Sequence, residues 1–267
     1  MESSNSIPKK IHYCWFGGNP LPEFAKKCIE SWRKFLPDYE IIEWNEQNYD
    51  VHKIPYISQA YNAKKFAFVS DYARFDILYE HGGLYFDTDV EVIKPFDELV
   101  EKGAFAGVEF PGKLNAGLGL ASPAASPIYK EILDSYKISN FINQDGSLNL
   151  YTVVDRVSEI FAKYGFTNED KIQFVADTYV YPTEYFCPKN VQTGILTITD
   201  NTFSIHHYDA SWIEPWQKKV QEKKFKIYEK FDNNLFSRIC VNVYHVLMAI
   251  NNKGLIKGLK YCKDKVK

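Results

Sequence analysis

The sequence lacks the features that mark several large classes of protein. Its 267 residues carry a formal net charge of −2, whereas nucleic-acid-binding proteins usually have a strong basic excess. No apolar run reaches the roughly 18 residues of a membrane-spanning helix, and no internal repeat or low-complexity linker interrupts the chain. The opening residues, MESSNS, have neither the positive charge nor the apolar stretch of a signal peptide. These absences predict a cytoplasmic protein with no nucleic acid among its partners.

The cysteines are few and widely spaced. There are five, an odd number, and no two of them form a CxxC pair. The pattern therefore indicates neither a disulfide framework nor a zinc site. Reduced thiols are what a cytosolic protein would contain. The five are Cys14, Cys28, Cys187, Cys240 and Cys262.

The overall composition is that of a folded protein, with 45% hydrophobic and 25% charged residues. The length favours one or two domains. One change of composition follows Trp216, where the chain becomes lysine-rich and helical in pattern. The last 17 residues hold six lysines and one aspartate, a local charge of +5 that leaves −7 on the rest. We therefore expect one domain over residues 1–216 and a helical, lysine-rich extension over residues 217–267.

Strand and helix patterns alternate from the start of the chain. Residues 7–16 are β-rich, helical spacing runs from Phe24 to Phe35, and residues 39–44 form a second β-rich segment. This strand–helix–strand order is typical of a right-handed unit with parallel strands, so we expect the α/β class with a mostly parallel central sheet. Further helices are predicted over about residues 59–80, 126–136 and 147–164, and further strands over 84–86, 90–93, 103–108, 117–121, 172–175, 195–199 and 203–207.

The sequence Asp87-Thr88-Asp89 has the most chemical content. It follows the short strand 84–86, which a glycine pair precedes. In an extended chain residues i and i+2 point to the same side, and ligands of open α/β sheets bind at the carboxyl ends of strands. Two carboxylates there can hold Mg²⁺, Mn²⁺ or Ca²⁺, and such a cation can hold a diphosphate. The alternative interpretation is a pair of solvated turn residues.

Asp71 and Arg74 lie three residues apart on the preceding helix, and therefore on one helical face. An aspartate can bind ribose hydroxyls, and an arginine can hold a phosphate or a metal-bound carboxylate. The alternative is a local ion pair on an exposed helix, which contributes less than about 1 kcal/mol.

Three stretches of the chain resemble family 32 glycosyltransferases and their DXD-containing sugar-binding region. They are IPKKIHYCWFGG from residue 7, FVSDYAR and LYEHGGLYFDTD between residues 68 and 89, and HHYDASW from residue 206. The chain is similar to the large clostridial glucosylating toxins as well, and most similar to bacterial capsular-polysaccharide and O-antigen sugar transferases. The resemblance implies a GT-A fold, which is a Rossmann-like α/β domain with a largely parallel sheet. It also implies a nucleotide-diphosphate sugar donor, Mn²⁺ or Mg²⁺, and retention of anomeric configuration.

The resemblance assigns the donor-binding roles by position. Trp15 would stack on the base, Tyr85 would lie beside the ribose, and Asn115 would contact the donor sugar. The alternatives are that Trp15 is a core residue and that Asn115 belongs to a glycine turn. The other donor contacts that the resemblance implies are Asp71, Arg74 and Asp87.

The same resemblance assigns the metal site. Asp87 and Asp89 would meet the metal, and His207, in preference to His206, would be the third protein ligand. Neighbouring residues of a strand face opposite ways, so only one of the two histidines can point to the site. Asp87, Asp89 and Arg74 are the candidate catalytic residues, because the metal and the guanidinium would neutralise charge on the leaving group.

The implied reaction is transfer of a hexose, galactose or glucose, from a uridine-diphosphate donor to a saccharide acceptor in capsule, O-antigen or lipopolysaccharide synthesis. We favour same-face attack guided by the leaving phosphate over a covalent intermediate. Asp145 and Trp212 are expected on the acceptor side, although a loop cap and packing at the domain edge would explain them equally well. The competing functions are a metal-dependent phosphodiester hydrolase and an inactive sugar-nucleotide-binding module.

The extension has its own pattern. Apolar residues recur at helical spacing between Leu235 and Ile250, and Lys253, Lys257, Lys260 and Lys263 follow. Basic amphipathic helices lie in membrane interfaces, and each lysine near an anionic leaflet contributes about 1 kcal/mol. We expect the extension to hold the protein on the inner face of the cytoplasmic membrane, near a lipid-linked acceptor. The alternative is a docked helix with a solvated lysine end.

Overall fold

The computed structural model describes residues 6–209, 214–232 and 234–264 of the chain. The chain groups into two compact units, of which unit 1 is residues 1–188 with 198–207, and unit 2 is residues 189–197 with 208–267. The domain boundary expected after residue 216 stays a prediction. The five cysteines form no disulfide with one another.

A seven-stranded sheet forms the centre of unit 1. Its strand order is β2-β1-β3-β6-β5-β8-β7, and β4 and β9 form a separate two-stranded sheet. The strands are β1 Lys10–Cys14, β2 Glu40–Trp44, β3 Gly83–Tyr85, β4 Val90–Val92, β5 Phe105–Phe110, β6 Lys113–Ser122, β7 Gln173–Val175, β8 Thr178–Tyr181 and β9 Ser204–His206.

The directions of the strands confirm the expected mostly parallel sheet. Strand β1 runs parallel to both β2 and β3, and β5 runs parallel to β8. Strand β6 is antiparallel to β3 and to β5, and β7 is antiparallel to β8. Strands β1, β2, β3, β5 and β8 therefore share one direction, while β6 and β7 oppose it. The carboxyl ends of β1 and β3 consequently lie at the same edge of the sheet.

Helices flank this sheet, as the α/β architecture implied by the resemblance requires. The helices of unit 1 are α1 Glu23–Phe35, α2 Pro55–Asn62, α3 Phe66–His81, α4 Asp97–Val100, α5 Pro127–Lys137, α6 Val153–Ala162 and α7 Thr183–Phe186. Half of the residues of helix α3 are buried, including the charged Arg74 and Asp76. A buried helix directly before β3 brings charged groups to the interior, where the candidate site lies.

Three predicted elements differ from the structure. The helix predicted over 59–80 is divided into α2 and α3, because Lys64 takes a left-handed backbone with φ of 56°. The helix predicted over 147–164 is only α6, which begins where the side chain of Thr152 accepts a hydrogen bond from the N–H of Asp155. Residues 195–199 do not form a strand, since their one ladder contact is a single bridge between Lys189 and Leu196.

The packing of α1 fixes the segment that follows the two acids. Trp32 is fully buried, and its Nε1–H donates a 2.7 Å hydrogen bond to the carbonyl of Val90. The hydroxyl of Ser31 accepts a hydrogen bond from the N–H of Val92 at 2.9 Å. Strand β4 is therefore held at both ends by α1, which leaves Asp87 and Asp89 between two anchored strands.

Unit 2 is helical over most of its described residues after residue 214. Its helices are α8 Pro215–Phe231, α9 Leu235–Lys253 and α10 Leu255–Asp264. Within unit 2, α9 packs against both α8 and α10. No helix in the described part of the chain is both long and apolar enough to cross a bilayer.

Candidate metal and donor site

The two acids follow β3 directly, at the edge of the sheet where β1 also ends. Gly83, with φ of 104°, begins the strand, and a Cβ there would lie 2.8 Å from the carbonyl oxygen of Lys10. Only glycine fits this close approach to β1. The N–H of Asp87 then donates to the carbonyl of Gly117 at 3.1 Å, which ties the first acid to β6. The acids are thus positioned by β1 and β6, on either side of their own strand.

Arg74 links helix α3 to the first acid. Its side chain is 4% exposed, and one of its terminal nitrogens donates to Asp71 Oδ1 at 2.9 Å and lies 3.3 Å from Asp87 Oδ1. Its Nε donates to the carbonyl of Ser70 at 3.1 Å. The guanidinium lies 4.9 Å from the centre of the Tyr85 ring, whose hydroxyl donates to Asp87 Oδ1 at 3.1 Å. The candidates Asp71, Arg74, Tyr85 and Asp87 therefore form one connected cluster.

Burial and charge act in opposite directions on this cluster. Burial alone would lower the pKa of Arg74, but Asp87, Tyr85 and Asp71 together raise it, so the guanidinium is permanently charged. Burial raises the pKa of Asp71 to about 7, although Arg74 acts in the opposite direction. The arginine is the fixed positive charge of the site, held by more than one acidic neighbour.

His206, rather than His207, lies beside the acids. His206 Nε2 is 3.2 Å from Asp89 Oδ1. Ligand atoms of Asp87, Asp89 and His206 all lie within 4.8 Å of one another. Burial lowers the pKa of the His206 ring, but Asp89, and to a smaller degree Asp87, outweighs burial and raises it. The structure therefore places His206, and not the expected His207, beside the two acids.

The register of β9 explains this correction. Val90 of β4 pairs with His206 of β9 in an antiparallel ladder, so the side chain of the next residue points the other way. His207 Nε2 lies 2.8 Å from Glu91 Oε2, and its ring meets Phe24 edge-on at 5.0 Å. The main-chain N–H of His207 donates to the carbonyl of Asp89 at 3.0 Å. His207 thus supports the backbone of the second acid, while His206 faces its carboxylate.

Gly117 gives the first acid its space, a role that the sequence pattern did not reveal. A Cβ at this position would lie 2.0 Å from Asp87 Oδ2 and 3.2 Å from Asn115 Oδ1. Asn115 Oδ1 accepts a 2.7 Å hydrogen bond from the N–H of Gly117, and Asn115 Nδ2 donates to Glu109 Oε2 at 3.1 Å. The expected donor contact Asn115 therefore reaches Asp87 only indirectly. Its side chain binds the main chain of Gly117, and Gly117 binds the main chain of Asp87.

The remaining candidates lie in different places. Trp15 follows β1 at the same edge of the sheet, half-buried, and its Nε1–H donates to the carbonyl of Asn19 at 2.6 Å. Asp145 is exposed in the loop between α5 and α6, where its carboxylate accepts hydrogen bonds from the N–H and hydroxyl of Ser147. The carboxylate of Asp145 therefore stabilises its own loop. Trp212 lies outside the described residues.

The ligand atoms of Asp87, Asp89 and His206 fit a divalent cation. Two carboxylate oxygens favour Mg²⁺, Ca²⁺ and Mn²⁺, and an imidazole nitrogen favours transition metals over Mg²⁺ and Ca²⁺. Mn²⁺ meets both preferences. Three protein ligands leave the other positions of an octahedral ion open for phosphate oxygens and water. The cluster of Asp87, Asp89 and His206 can therefore hold a cation that binds a diphosphate.

Comparisons with known proteins agree with this chemistry. Residues 22–106 match the family model of the glycosyltransferase sugar-binding region containing the DXD motif. The chain is 34% identical over 110 residues to inositol phosphoceramide mannosyltransferase 1 of Schizosaccharomyces pombe, covering 37% of this chain and 33% of the relative. It is 27% identical over 220 residues to an uncharacterized glycosyltransferase, L373, of Acanthamoeba polyphaga mimivirus, covering 77% of this chain and 84% of that protein.

The chain thus spans about a third of the length of the first curated relative. Among solved structures, the PaToxG glycosyltransferase is similar with a TM-score of 0.47 and 19% identity, over 60% of this chain and 69% of that chain. Both candidate acids lie within the matched residues 22–106.

Proposed function

We propose that the protein is a metal-dependent glycosyltransferase that moves a hexose from a nucleotide-diphosphate sugar to a saccharide acceptor. The observation that carries this proposal is the cluster of Asp87, Asp89 and His206, with ligand atoms within 4.8 Å of one another, beside the buried Arg74. A transferase of this kind needs a place for a diphosphate and a means to neutralise it as it leaves. The cluster supplies both.

The charges of the site explain why a cation belongs to it. Asp71 and Asp87 contact the guanidinium of Arg74, and Asp89 contacts the ring of His206. The acids alone would repel a diphosphate, so Asp87, Asp89 and His206 would hold Mn²⁺ or Mg²⁺. When bound, the ion supplies Lewis-acid stabilisation of the leaving diphosphate.

Arg74 contributes a second, permanent positive charge to the leaving group. It is oriented by the carbonyl of Ser70, by Asp71 and by the ring of Tyr85, so little reorganisation is needed as charge develops. Trp15, at the same edge of the sheet, is proposed to stack on the base. Such stacking contributes about 1–3 kcal/mol in single-stranded nucleic-acid sites.

The identity of the donor belongs to the proposal. We propose a uridine-diphosphate hexose and retention of configuration by same-face attack, as the resemblance implies. The sequence resemblance favours galactose or glucose, whereas the name of the first curated relative specifies mannose. A donor panel therefore has to contain all three sugars, each with uridine and guanosine diphosphate.

The acceptor is proposed to be a saccharide on a lipid. The first curated relative is named for an inositol phosphoceramide acceptor, and unit 2 has a surface suited to a membrane. Large apolar side chains on one stripe of α9 are more than half exposed: Leu235 at 75%, Ile239 at 52%, Val243 at 53% and Leu247 at 59%.

The charges of α10, which packs against α9, favour an anionic bilayer. Leu255 and Ile256 of α10 are 62% and 83% exposed, and Lys257, Lys260 and Lys263 are exposed on the same helix. Apolar groups with adjacent lysines insert shallowly at anionic headgroups. We therefore propose peripheral binding to the cytoplasmic membrane, as in synthesis of capsule or O-antigen on a lipid carrier.

Vesicle flotation tests the membrane part of the proposal. The protein is expected to float with vesicles that contain phosphatidylglycerol and to remain below with pure phosphatidylcholine. Ile239→Glu should abolish flotation. Ile138→Glu, the same change at an 88% exposed isoleucine of unit 1, should leave it unchanged. Equal flotation of wild type and Ile239→Glu would refute this surface.

Release of nucleoside diphosphate from the donor panel, with Mn²⁺, tests the catalytic part. Asp89→Asn should reduce turnover at least about 10²-fold, as expected for loss of one strong electrostatic contact. Asp200→Asn, at an exposed acid of the same unit, is the control. Donor binding without turnover would favour an inactive module, and cleavage of phosphodiesters alone would favour a hydrolase.

A further inference from the structure

A β-bulge aims the side chain of Glu109 differently from those of its neighbours. Val108 of β5 pairs with Leu114 of β6, and Phe110 pairs with Lys113, so Glu109 has no partner in the ladder. Bulges redirect side chains and are frequent next to active sites. Here the bulge lies on the strand pair that also carries Asn115.

The contacts of Glu109 lead to the first acid of the metal site. Asn115 Nδ2 donates to Glu109 Oε2 at 3.1 Å, and Asn115 Oδ1 accepts from the N–H of Gly117 at 2.7 Å. The carbonyl of Gly117 accepts from the N–H of Asp87 at 3.1 Å. The charge of Glu109 is also close enough to act on the buried ring of His206. Glu109 is therefore a half-buried acid at the border of the metal cluster.

The charge of Glu109 is not balanced by a cation of the described residues. Its one hydrogen bond comes from the neutral amide of Asn115. An unbalanced carboxylate repels a bound diphosphate, which weakens binding of the donor. The same carboxylate attracts the positive charge that develops on the anomeric carbon as the diphosphate leaves. An interaction that favours the transition state over the bound donor raises the catalytic rate.

We propose that Glu109 is a catalytic residue that touches the donor sugar and stabilises positive charge at its anomeric carbon. The inference rests on the proposed glycosyltransferase function. It needs no bond between Glu109 and the sugar, since the carboxylate acts by its charge. The donor sugar then lies between Glu109 on β5 and the diphosphate bound at Asp87 and Asp89.

The decisive variant is Glu109→Gln, because the glutamine carbonyl can still accept the hydrogen bond from Asn115 while the charge is removed. Turnover at saturating donor should fall at least about 10²-fold. Donor affinity, measured by calorimetry with Mn²⁺ and without acceptor, should stay equal or become tighter, since a repulsive charge is lost. Mn²⁺ affinity should change far less than turnover. Glu101→Gln, at an exposed position before β5, is the matched control.

Three results would overturn the inference. They are unchanged turnover of Glu109→Gln, weaker donor binding that accounts for all of its defect, and weaker Mn²⁺ binding that excess Mn²⁺ corrects. The last would make Glu109 a metal ligand. Thermal melting of the variant, with Glu109→Asp as a second, charge-retaining change, separates misfolding from a lost charge, since Asp should keep more activity than Gln. A wild-type protein that releases no diphosphate from any donor would refute the proposed function itself.

Discussion

Replacing Gly117 with alanine should disable the site without unfolding the protein. The added Cβ would lie 2.0 Å from Asp87 Oδ2, and contacts under 3.0 Å are essentially never seen at a Cβ. The carboxylate must therefore move by about 1 Å, which disturbs its contacts with Tyr85 and Arg74 at 3.1 and 3.3 Å. Misplacement by about 1 Å can cost roughly 10² in rate.

Two measurements are needed to interpret Gly117→Ala. We expect Mn²⁺ affinity and donor turnover each to fall, turnover by about 10²-fold, while the free energy of unfolding falls by only about 1–3 kcal/mol, as for other overpacked positions. Gly107→Ala is the control, since its Cβ would lie 2.7 Å from the ring of Phe186 and not at the acids. It should lose stability but keep Mn²⁺ affinity. Wild-type Mn²⁺ affinity and turnover in Gly117→Ala would refute the positioning of Asp87 by β6.

Two further predictions concern histidines of unit 1. His206→Ala should weaken Mn²⁺ binding at least about tenfold, as for loss of one strong contact, whereas His207→Ala should change it less. Electron paramagnetic resonance of Mn²⁺ measures both affinities. A larger loss of affinity in His207→Ala than in His206→Ala would make His207 the ligand. Burial lowers the pKa of His12 to about 4, and its neutral ring accepts from Trp44 Nε1–H and donates to the carbonyl of Gly82. Because the unfolded chain takes up this proton near pH 6.5 and the folded chain only near pH 4, stability should decrease by about 3 kcal/mol as the pH falls through that window. Chemical unfolding from pH 8 to pH 4 measures the decrease, and a His12→Gln variant with the same pH dependence would contradict it.

Local patterns predicted the position of the acids. A short apolar strand after a glycine pair is a strong signal, and Asp87 and Asp89 do follow β3. The alternation of early strands and helices also gave the correct class, because βαβ units have one strongly preferred hand. Arg74 and Asp71 were paired correctly, since residues three apart on a helix are neighbours.

Features that depend on strand register were not accessible from the sequence. The choice between His206 and His207 depends on how β9 pairs with β4, and a shift by one residue would reverse it. The bulge at Glu109 and the contact of Gly117 with Asp87 arise from the pairing of β5 with β6 and from the meeting of β6 with β3. Neither pairing leaves a periodic signal in the chain.

The predicted boundaries of the helices differ from the structure for a similar reason. The apolar pattern continues across Lys64, but the left-handed backbone there ends α2 and starts the turn to α3. Lysine is not a typical residue for that conformation. Strand β8 was missed because it follows β7 after a two-residue turn at Ala176 and Asp177, both with positive φ, where glycine or asparagine would be the usual signal.

Binding of Mn²⁺ in the presence of uridine diphosphate tests the central claim most directly. The account predicts that the diphosphate tightens Mn²⁺ binding to the wild-type protein, because the ion held by Asp87 and Asp89 would bind the diphosphate as well. It predicts that Asp89→Asn binds Mn²⁺ at least about tenfold more weakly, with or without the nucleotide. Equal Mn²⁺ affinity in the wild type and in Asp89→Asn, unaffected by uridine diphosphate, would contradict the account.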